Sequence, residues 1–138
     1  ISFSKDPNLA FLILDSPISD NHAIIEKEIK KRKIPTLFIP GGLWIGKHLF
    51  KTDLMEIDPQ ADIHQLIDRP VLLIHAKNDP VVPFSHSQNI KDAITFNPYL
   101  STYFTNSSGH NTSMFENPKE YEQSLIRFLK NRFPALAE

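Results

Sequence analysis

Short apolar runs recur along the chain, and each is followed by polar residues. Leu9–Asp15 is nearly continuous in apolar side chains, and Arg69–Ala76, with the run VLLI, is the clearest strand candidate in the chain. Runs that are apolar at consecutive positions, rather than at every second one, are typical of strands buried on both faces of a parallel sheet. Tyr99–Thr105 is a third strand candidate. The pattern therefore predicts at least three buried strands.

The segments between these runs have the periodicity of amphipathic helices. We predict helices over residues 21–33, over 85–96 and from Pro118 onwards. The candidate N-caps are Ser19 or Asp20 for the first helix, Ser85 in a capping box with Gln88 for the second, and Asn117 for the third. Strands that alternate with such helices predict an α/β fold with three layers, in which a mainly parallel sheet lies between helices.

Residues 41–68 interrupt the alternation. This segment is irregular and bulky, and it predicts an excursion from the sheet with one or two short helices. Nothing in the remaining sequence resembles a linker or an internal repeat. We therefore expect residues 1–138 to form one domain, or a portion of one, with residues 41–68 as an insertion.

Composition narrows the choice of partners. The chain has 138 residues and a formal net charge of −1, and its one basic run, Lys27–Lys33, fits the solvated face of a helix better than a nucleic-acid site. No apolar stretch is long enough to span a membrane. The chain has no cysteine, which excludes disulfides and thiolate metal sites, and its histidines lack metal-ligand spacing. We therefore expect neither a nucleic-acid partner nor a metal or other cofactor.

Two polar side chains lie where consecutive strands end. Asp79 follows the strand that ends at Ala76, and His110 lies in the polar loop after Tyr99–Thr105. A single helix joins these strands, so a right-handed crossover should make them neighbours and bring their exit loops together. An acid in one loop can then orient an imidazole in the other and stabilise its protonated form.

These residues carry a resemblance to a known family. The sequence PVLLIHAKNDPVVPFSHSQNI, followed by SSGHN and a terminal helix, resembles the C-terminal half of an α/β-hydrolase, most closely the serine esterase, lipase and peptidase branches. The resemblance implies that Asp79 is the acid and His110 the base of a catalytic triad. It also implies that residues 41–68 stand where the family inserts a cap. Asp20, after the first strand, is the reserve candidate for the acid.

The family's nucleophile is missing from the sequence. No serine lies in a G-x-S-x-G motif, and Ser16 is followed by Pro17 rather than by the glycine-rich turn that the nucleophile requires. We therefore expect the nucleophile and the oxyanion hole to lie upstream, in the same protein. The sheet edge beside Leu9–Asp15 would then be exposed in this chain, and self-association through it is possible.

Three hypotheses follow. The chain is the C-terminal part of a serine hydrolase that acts on a small-molecule ester or amide, a non-catalytic relative that uses the same fold for binding, or a nucleotide-binding protein. The third rests on Gly41–His48, which matches G-x-x-x-x-G-K but places His48 where a P-loop needs Ser or Thr.

Overall fold

A parallel sheet of three strands lies at the centre of the fold. The computed structural model describes residues 8–50, 66 and 68–134. The strands are β1 (Leu12–Asp15), β2 (Val71–Ala76) and β3 (Leu100–Thr105), in the order β1-β2-β3. Both pairings are parallel, with Leu12 opposite Val71 and Ala76 opposite Thr105. The predicted α/β class and parallel sheet are confirmed.

Five helices and one 3₁₀ turn lie within the described residues. The 3₁₀ turn is Thr36–Phe38, and the helices are α1 (Asn21–Lys31), α2 (Ile39–Phe50), α3 (Ser85–Ala93), α4 (Ser113–Glu116) and α5 (Pro118–Arg132). None of the helices in the described part of the chain is long and apolar enough to cross a membrane. The three helices predicted from periodicity are present, with ends that differ by a few residues.

The capping interactions differ from the sequence pattern in two places. Asp20 caps α1 as expected, because its carboxylate accepts the backbone N–H of Ala23 at 3.0 Å. The capping box at Ser85 is wrong, since Phe84 is the N-cap of α3 and the side chain of Gln88 donates to Asp92 instead. Asn117 is the N-cap of α5 but forms no side-chain cap, and Pro118 begins that helix.

Residues 39–50 form one helix, in a part of the chain where the sequence predicted an excursion with one or two short helices. Pro40 lies in the first turn of α2, where a missing backbone N–H leaves no intrahelical bond unmade. Most of the remaining excursion, residues 51–65 and 67, lies outside the described residues. The insertion at 41–68 therefore stays a prediction.

Two apolar clusters cover the two faces of β2, all of whose residues are buried. On one face, Val71 and Leu73 pack with Ile90 and Ile94, in and just after α3. On the other face, Leu72 and Ile74 pack with Phe128 of α5. Helices thus lie against both faces of the sheet, and the three-layer arrangement is confirmed.

β1 and β3 form the two edges of the described sheet. β1 pairs with β2 along one side, and no strand within the described residues pairs with its other side. The side chains of β1 are half-buried, whereas those of the central strand β2 are buried. Self-association through the β1 edge stays a prediction.

Asn97 fixes the ends of β2 and β3 that lie opposite the candidate site. It is 5% exposed, and its Nδ2 donates to the carbonyl oxygens of Leu66 at 2.6 Å and Arg69 at 2.8 Å. Its Oδ1 accepts the backbone N–H of Tyr99 at 2.7 Å. One side chain therefore joins the segment before β2 to the segment before β3.

Replacing Asn97 should destabilise the fold. Asn97→Ala leaves two carbonyl groups and one N–H without this partner, and we expect the free energy of unfolding to fall by about 2–4 kcal/mol. Urea denaturation followed by circular dichroism measures the loss. Asn106→Ala is the matched control, because Asn106 is exposed and its replacement should change stability by less than about 0.5 kcal/mol. Equal effects of the two variants would contradict this role of Asn97.

Candidate functional site

Backbone and amide hydrogen bonds join the loops that leave β2 and β3. The N–H of Lys77 donates to the carbonyl of Thr105 at 2.8 Å, which continues the strand pairing past its last residue. The Nδ2 of Asn78 then donates to the carbonyl of Asn106 at 3.0 Å, and its N–H donates to the carbonyl of Ser107 at 3.3 Å. The two exit loops therefore face each other directly.

Asp79 and His110 meet between these loops. Nδ1 of His110 lies 2.8 Å from Oδ2 of Asp79, and the side chain of Asp79 is fully buried. The sequence placed both residues on neighbouring strand exits, and the structure brings them into hydrogen-bonding contact. In this arrangement an acid can hold the imidazole in one tautomer and stabilise the imidazolium that forms when the ring accepts a proton.

The other carboxylate oxygen of Asp79 is also satisfied. Oδ1 accepts the backbone N–H groups of Val81 at 2.8 Å and Val82 at 2.9 Å. Burial alone raises the pKa of Asp79, but the hydrogen bond from His110 and those from the two amides together hold that pKa below its usual value. Asp79 is therefore a carboxylate, able to stabilise positive charge on its partner.

The contacts of His110 leave its outer nitrogen free of a proton. Since the Asp79 carboxylate accepts, Nδ1 of His110 carries the hydrogen, and Nε2 of the neutral ring is the acceptor. Nε2 lies 3.3 Å from the Nδ2 of Asn111, an N–H donor. The His110 side chain is 31% exposed, so a hydroxyl group could approach the Nε2 lone pair from solvent.

Short side chains hold the loop that carries His110. The Nδ2 of Asn117 donates to Oγ of Ser107 at 3.0 Å, and the hydroxyls of Thr105 and Ser113 are 3.2 Å apart. A Cβ atom at Gly109 would lie 2.8 Å from Cβ of Thr112, too close for any other residue without a shift. Gly109 is therefore required for close packing, and its φ is not positive.

The other sequence candidates lie apart from this pair or have other contacts. Asp20, the reserve acid, is the cap of α1. Ser16 is 6% exposed, and its hydroxyl donates to the neighbouring Asp15 at 3.3 Å. Gly41–Lys47 lies within α2 rather than in a loop between a strand and a helix, so the P-loop hypothesis loses its structural basis.

His75 is a third residue beside the pair. Its position within a strand favoured a structural role and did not mark it as part of the site. Its Nε2 lies 3.6 Å from Oδ2 of Asp79, and its side chain is fully buried. The available signal was its position: His75 lies in β2, four residues before Asp79, on the same face of the strand as Leu73. A polar side chain at such a core position needs partners from the loop beyond the strand.

The structure contains a cavity of about 440 Å³ beside the end of β3. Its lining runs from Tyr103 to Ser107 and includes Glu116, Asn117 and Glu120, but neither Asp79 nor His110. Among the described residues, no three potential metal ligands cluster together.

No protein-family model and no curated protein sequence matches the chain significantly. Solved structures do match it. An esterase of Pyrococcus furiosus, Pf2001, superposes with a TM-score of 0.68 at 19% identity, over 94% of this chain and 47% of the esterase. An acylaminoacyl peptidase of Pyrococcus horikoshii matches with a TM-score of 0.62 at 15% identity, over 93% of this chain and 21% of the peptidase.

A third match is the non-heme bromoperoxidase BpoC of Mycobacterium tuberculosis, with a TM-score of 0.56, 18% identity and 61% of that protein covered. These proteins are α/β-hydrolases, and at such identities the similarity shows the fold. The chain has the α/β-hydrolase fold and spans about half the length of the esterase, which fits a C-terminal portion of that fold.

The buried carboxylate should make stability depend on pH. Because the pKa of Asp79 is lowered in the folded chain, the unfolded chain binds more protons as the pH falls through about 4 and below, and stability is lost there. The contribution has a slope of at most about 1.4 kcal/mol per pH unit. Urea unfolding at a series of pH values should show a weaker acid dependence in Asp79→Asn.

Asp68→Asn, which removes an exposed carboxylate, is the matched control and should keep the wild-type profile. A parallel loss of stability in Asp79→Asn and the wild-type chain between about pH 5 and pH 2 would show that the contact between Asp79 and His110 is not formed in solution.

Proposed function

We propose that this chain supplies the acid and the base of a serine-type hydrolase that cleaves an ester or an amide by acyl transfer. The observation that carries the proposal is the 2.8 Å hydrogen bond between Nδ1 of His110 and the buried Asp79 carboxylate. The α/β-hydrolase fold adds support, because its strand exits collect reactive groups at this end of the sheet.

Each group has a defined role in the proposed reaction. Nε2 of His110 accepts the proton of a serine hydroxyl as the serine oxygen attacks the substrate carbonyl. The imidazolium that forms keeps its Nδ1–H bond to Asp79, whose negative charge stabilises it. His110 then gives the proton to the leaving alcohol or amine, and the acyl-enzyme remains. Water completes the cycle by the same two proton transfers in the second half-reaction.

The nucleophile in this proposal comes from outside these 138 residues. No serine of the sequence lies in a G-x-S-x-G motif, and the hydroxyls of Ser16 and Ser107 contact Asp15 and Asn117. The match to less than half of the esterase is consistent with a second portion that carries the nucleophile and the oxyanion hole.

We further propose that the segment at residues 41–68 covers a small-molecule substrate with an apolar part. In its described portion and the turn before it, three large apolar side chains are well exposed: Leu37 at 83%, Phe38 at 64% and Trp44 at 62%. Exposed apolar groups that lie close together mark surfaces that bind something. The names of the esterase and the acylaminoacyl peptidase are consistent with ester and amide substrates.

A non-catalytic binding protein is the second candidate. The observation that favours it is the lack of a G-x-S-x-G motif in the sequence. Under this alternative, Asp79 and His110 would stabilise the loop pair without transferring protons. The two candidates differ in whether a serine in the assembled protein becomes acylated.

Removal of the Asp79 charge should abolish most activity of the protein that contains the nucleophile. In Asp79→Asn an amide N–H can face Nδ1 of His110, which favours the tautomer with the proton on Nε2, so the base is lost. We expect kcat to fall by about 10³–10⁴-fold. Steady-state hydrolysis of a p-nitrophenyl ester measures kcat, and circular dichroism checks that the fold is retained.

Asp20→Asn is the matched control. Asparagine is also a good N-cap, so α1 should stay intact and kcat should change little. A large loss in Asp20→Asn with little loss in Asp79→Asn would assign the acid to the loop after β1.

The 138-residue chain by itself should not form an acyl-enzyme. Loss of a triad nucleophile costs about 10⁶-fold in kcat, so ester hydrolysis should not exceed that of an exposed histidine. The test is a burst assay together with a serine-directed fluorophosphonate and mass spectrometry. Stoichiometric labelling of Ser16, Ser107 or Ser108 would place a nucleophile within this chain and contradict the proposal.

A further inference from the structure

His75 has a polar partner on each of its ring nitrogens. Its Nε2 lies 3.0 Å from the carbonyl oxygen of Val82, and its Nδ1 contacts the hydroxyl of Ser87. The His75 residue is fully buried in the sheet, and the edge of its ring meets Phe84 with centroids 5.7 Å apart. One histidine therefore connects β2, the loop after it and α3.

These contacts select one tautomer. A carbonyl oxygen can only accept, so Nε2 of His75 carries the proton and donates to Val82. Nδ1 of the neutral ring then accepts the hydroxyl proton of Ser87. Both nitrogens are satisfied without a charge, which matters because an unpaired charge at a fully buried position is costly.

The backbone of Val82 links His75 to the candidate site. Its carbonyl accepts from His75, and its N–H donates to Oδ1 of Asp79 at 2.9 Å. His75 therefore fixes the residue whose N–H binds one carboxylate oxygen. The other oxygen, Oδ2, lies 2.8 Å from Nδ1 of His110 and 3.6 Å from Nε2 of His75.

An apolar residue would pack at position 75 at lower cost. Val71 and Leu73 precede His75 on the same face of β2 and contribute to the apolar cluster with Ile90 and Ile94. A buried imidazole must have both nitrogens satisfied, and Val82 and Ser87 satisfy them. The arrangement is explained if the hydrogen bond to Val82 has a purpose beyond packing.

We propose that His75 is a positioning residue that sets the orientation of the Asp79 carboxylate toward His110 by holding the backbone of Val82 in place. It contacts neither the reacting atoms nor a substrate. The geometric part of this inference concerns the chain itself, and only its consequence for kcat rests on the proposed function.

The test uses the 138-residue chain, four variants and nuclear magnetic resonance. His75→Leu removes both hydrogen bonds, and His75→Gln keeps a side-chain N–H that can reach the Val82 carbonyl. Ser87→Ala removes only the partner of Nδ1. Leu73→Ala is the matched control, since Leu73 is fully buried on the same face of the same strand and its loss destabilises the core without touching Val82.

Two readouts separate positioning from stability. A carbon-detected titration follows the carboxyl group of Asp79, and the downfield signal of the His110 Nδ1 proton reports the hydrogen bond. In His75→Leu, the Val82 N–H is no longer held against the Asp79 carboxylate, so its hydrogen bond no longer offsets burial and the pKa of Asp79 should rise. The signal of the His110 Nδ1 proton should weaken or disappear. His75→Gln should restore both signals, and Ser87→Ala should show the same changes as His75→Leu in a milder form.

Leu73→Ala should lower the unfolding midpoint and leave both readouts unchanged. The inference is overturned if His75→Leu behaves like Leu73→Ala, or if His75→Gln fails to restore the signals although it folds. If His75→Leu does not fold, Ser87→Ala and His75→Gln decide. The role is refuted if both readouts stay at their wild-type values in Ser87→Ala as well as in His75→Gln.

Kinetics in the protein that carries the nucleophile then test the consequence. His75→Leu should lower kcat by about 10²-fold with little change in KM, as expected when a misplaced group stabilises the transition state less well. Absence of any acyl-enzyme in the wild-type protein would refute the proposed function, whereas the resonance measurements would still decide the positioning role.

Discussion

The fold around the candidate site is organised by a carboxylate that has no contact with water. Asp79 must have its oxygens satisfied within the protein, because an unpaired buried charge is worth several kcal/mol against folding. Three donors meet this requirement: the amides of Val81 and Val82 and the ring of His110. The two amides belong to the loop after β2 and His110 to the loop after β3, so the position of one carboxylate determines both loops together.

The sheet supplies the rigidity that this arrangement needs. β2 is the central strand, buried on both faces, and the bonds from Lys77 and Asn78 extend its pairing with β3 into the loops. The exits of the two strands therefore cannot move independently. Further support comes from Asn117, whose side chain holds Ser107 instead of capping its own helix. Residues near the site thus give up local helix capping in favour of contacts between loops.

Much of this could be predicted from the sequence, for identifiable reasons. Continuous apolar runs are distinctive of a strand covered on both faces, and they gave β2 and the parallel class. Chain order and the handedness of the crossover then placed Asp79 near His110. Some details escaped prediction. The capping box at Ser85 is wrong because Phe84 is the N-cap and the side chain of Gln88 pairs with Asp92. For residues 41–68 the sequence predicted one or two short helices without their bounds, and α2 begins before that segment, at Ile39.

The role of His75 was hidden because it depends on contacts between residues that are apart in the sequence. Nothing in the sequence near position 75 shows that its two ring nitrogens have partners in Val82 and Ser87, because those contacts arise only after the chain has turned back over β2. The requirement for Gly109 has the same origin, because it comes from the close approach of Thr112 in the folded loop.

Asp79 and His110 are 31 residues apart, and the β2-α3-β3 unit joins the loops that carry them. The entropy lost on closing a loop grows only slowly with its length, so this closure costs about 1 kcal/mol less than one that joins the two ends of the whole chain. The contact between Asp79 and His110 can therefore form once β2, α3 and β3 have packed together. In kinetic terms, the contact depends on local chain closure alone, and the tautomer of His110 is set as soon as the contact forms.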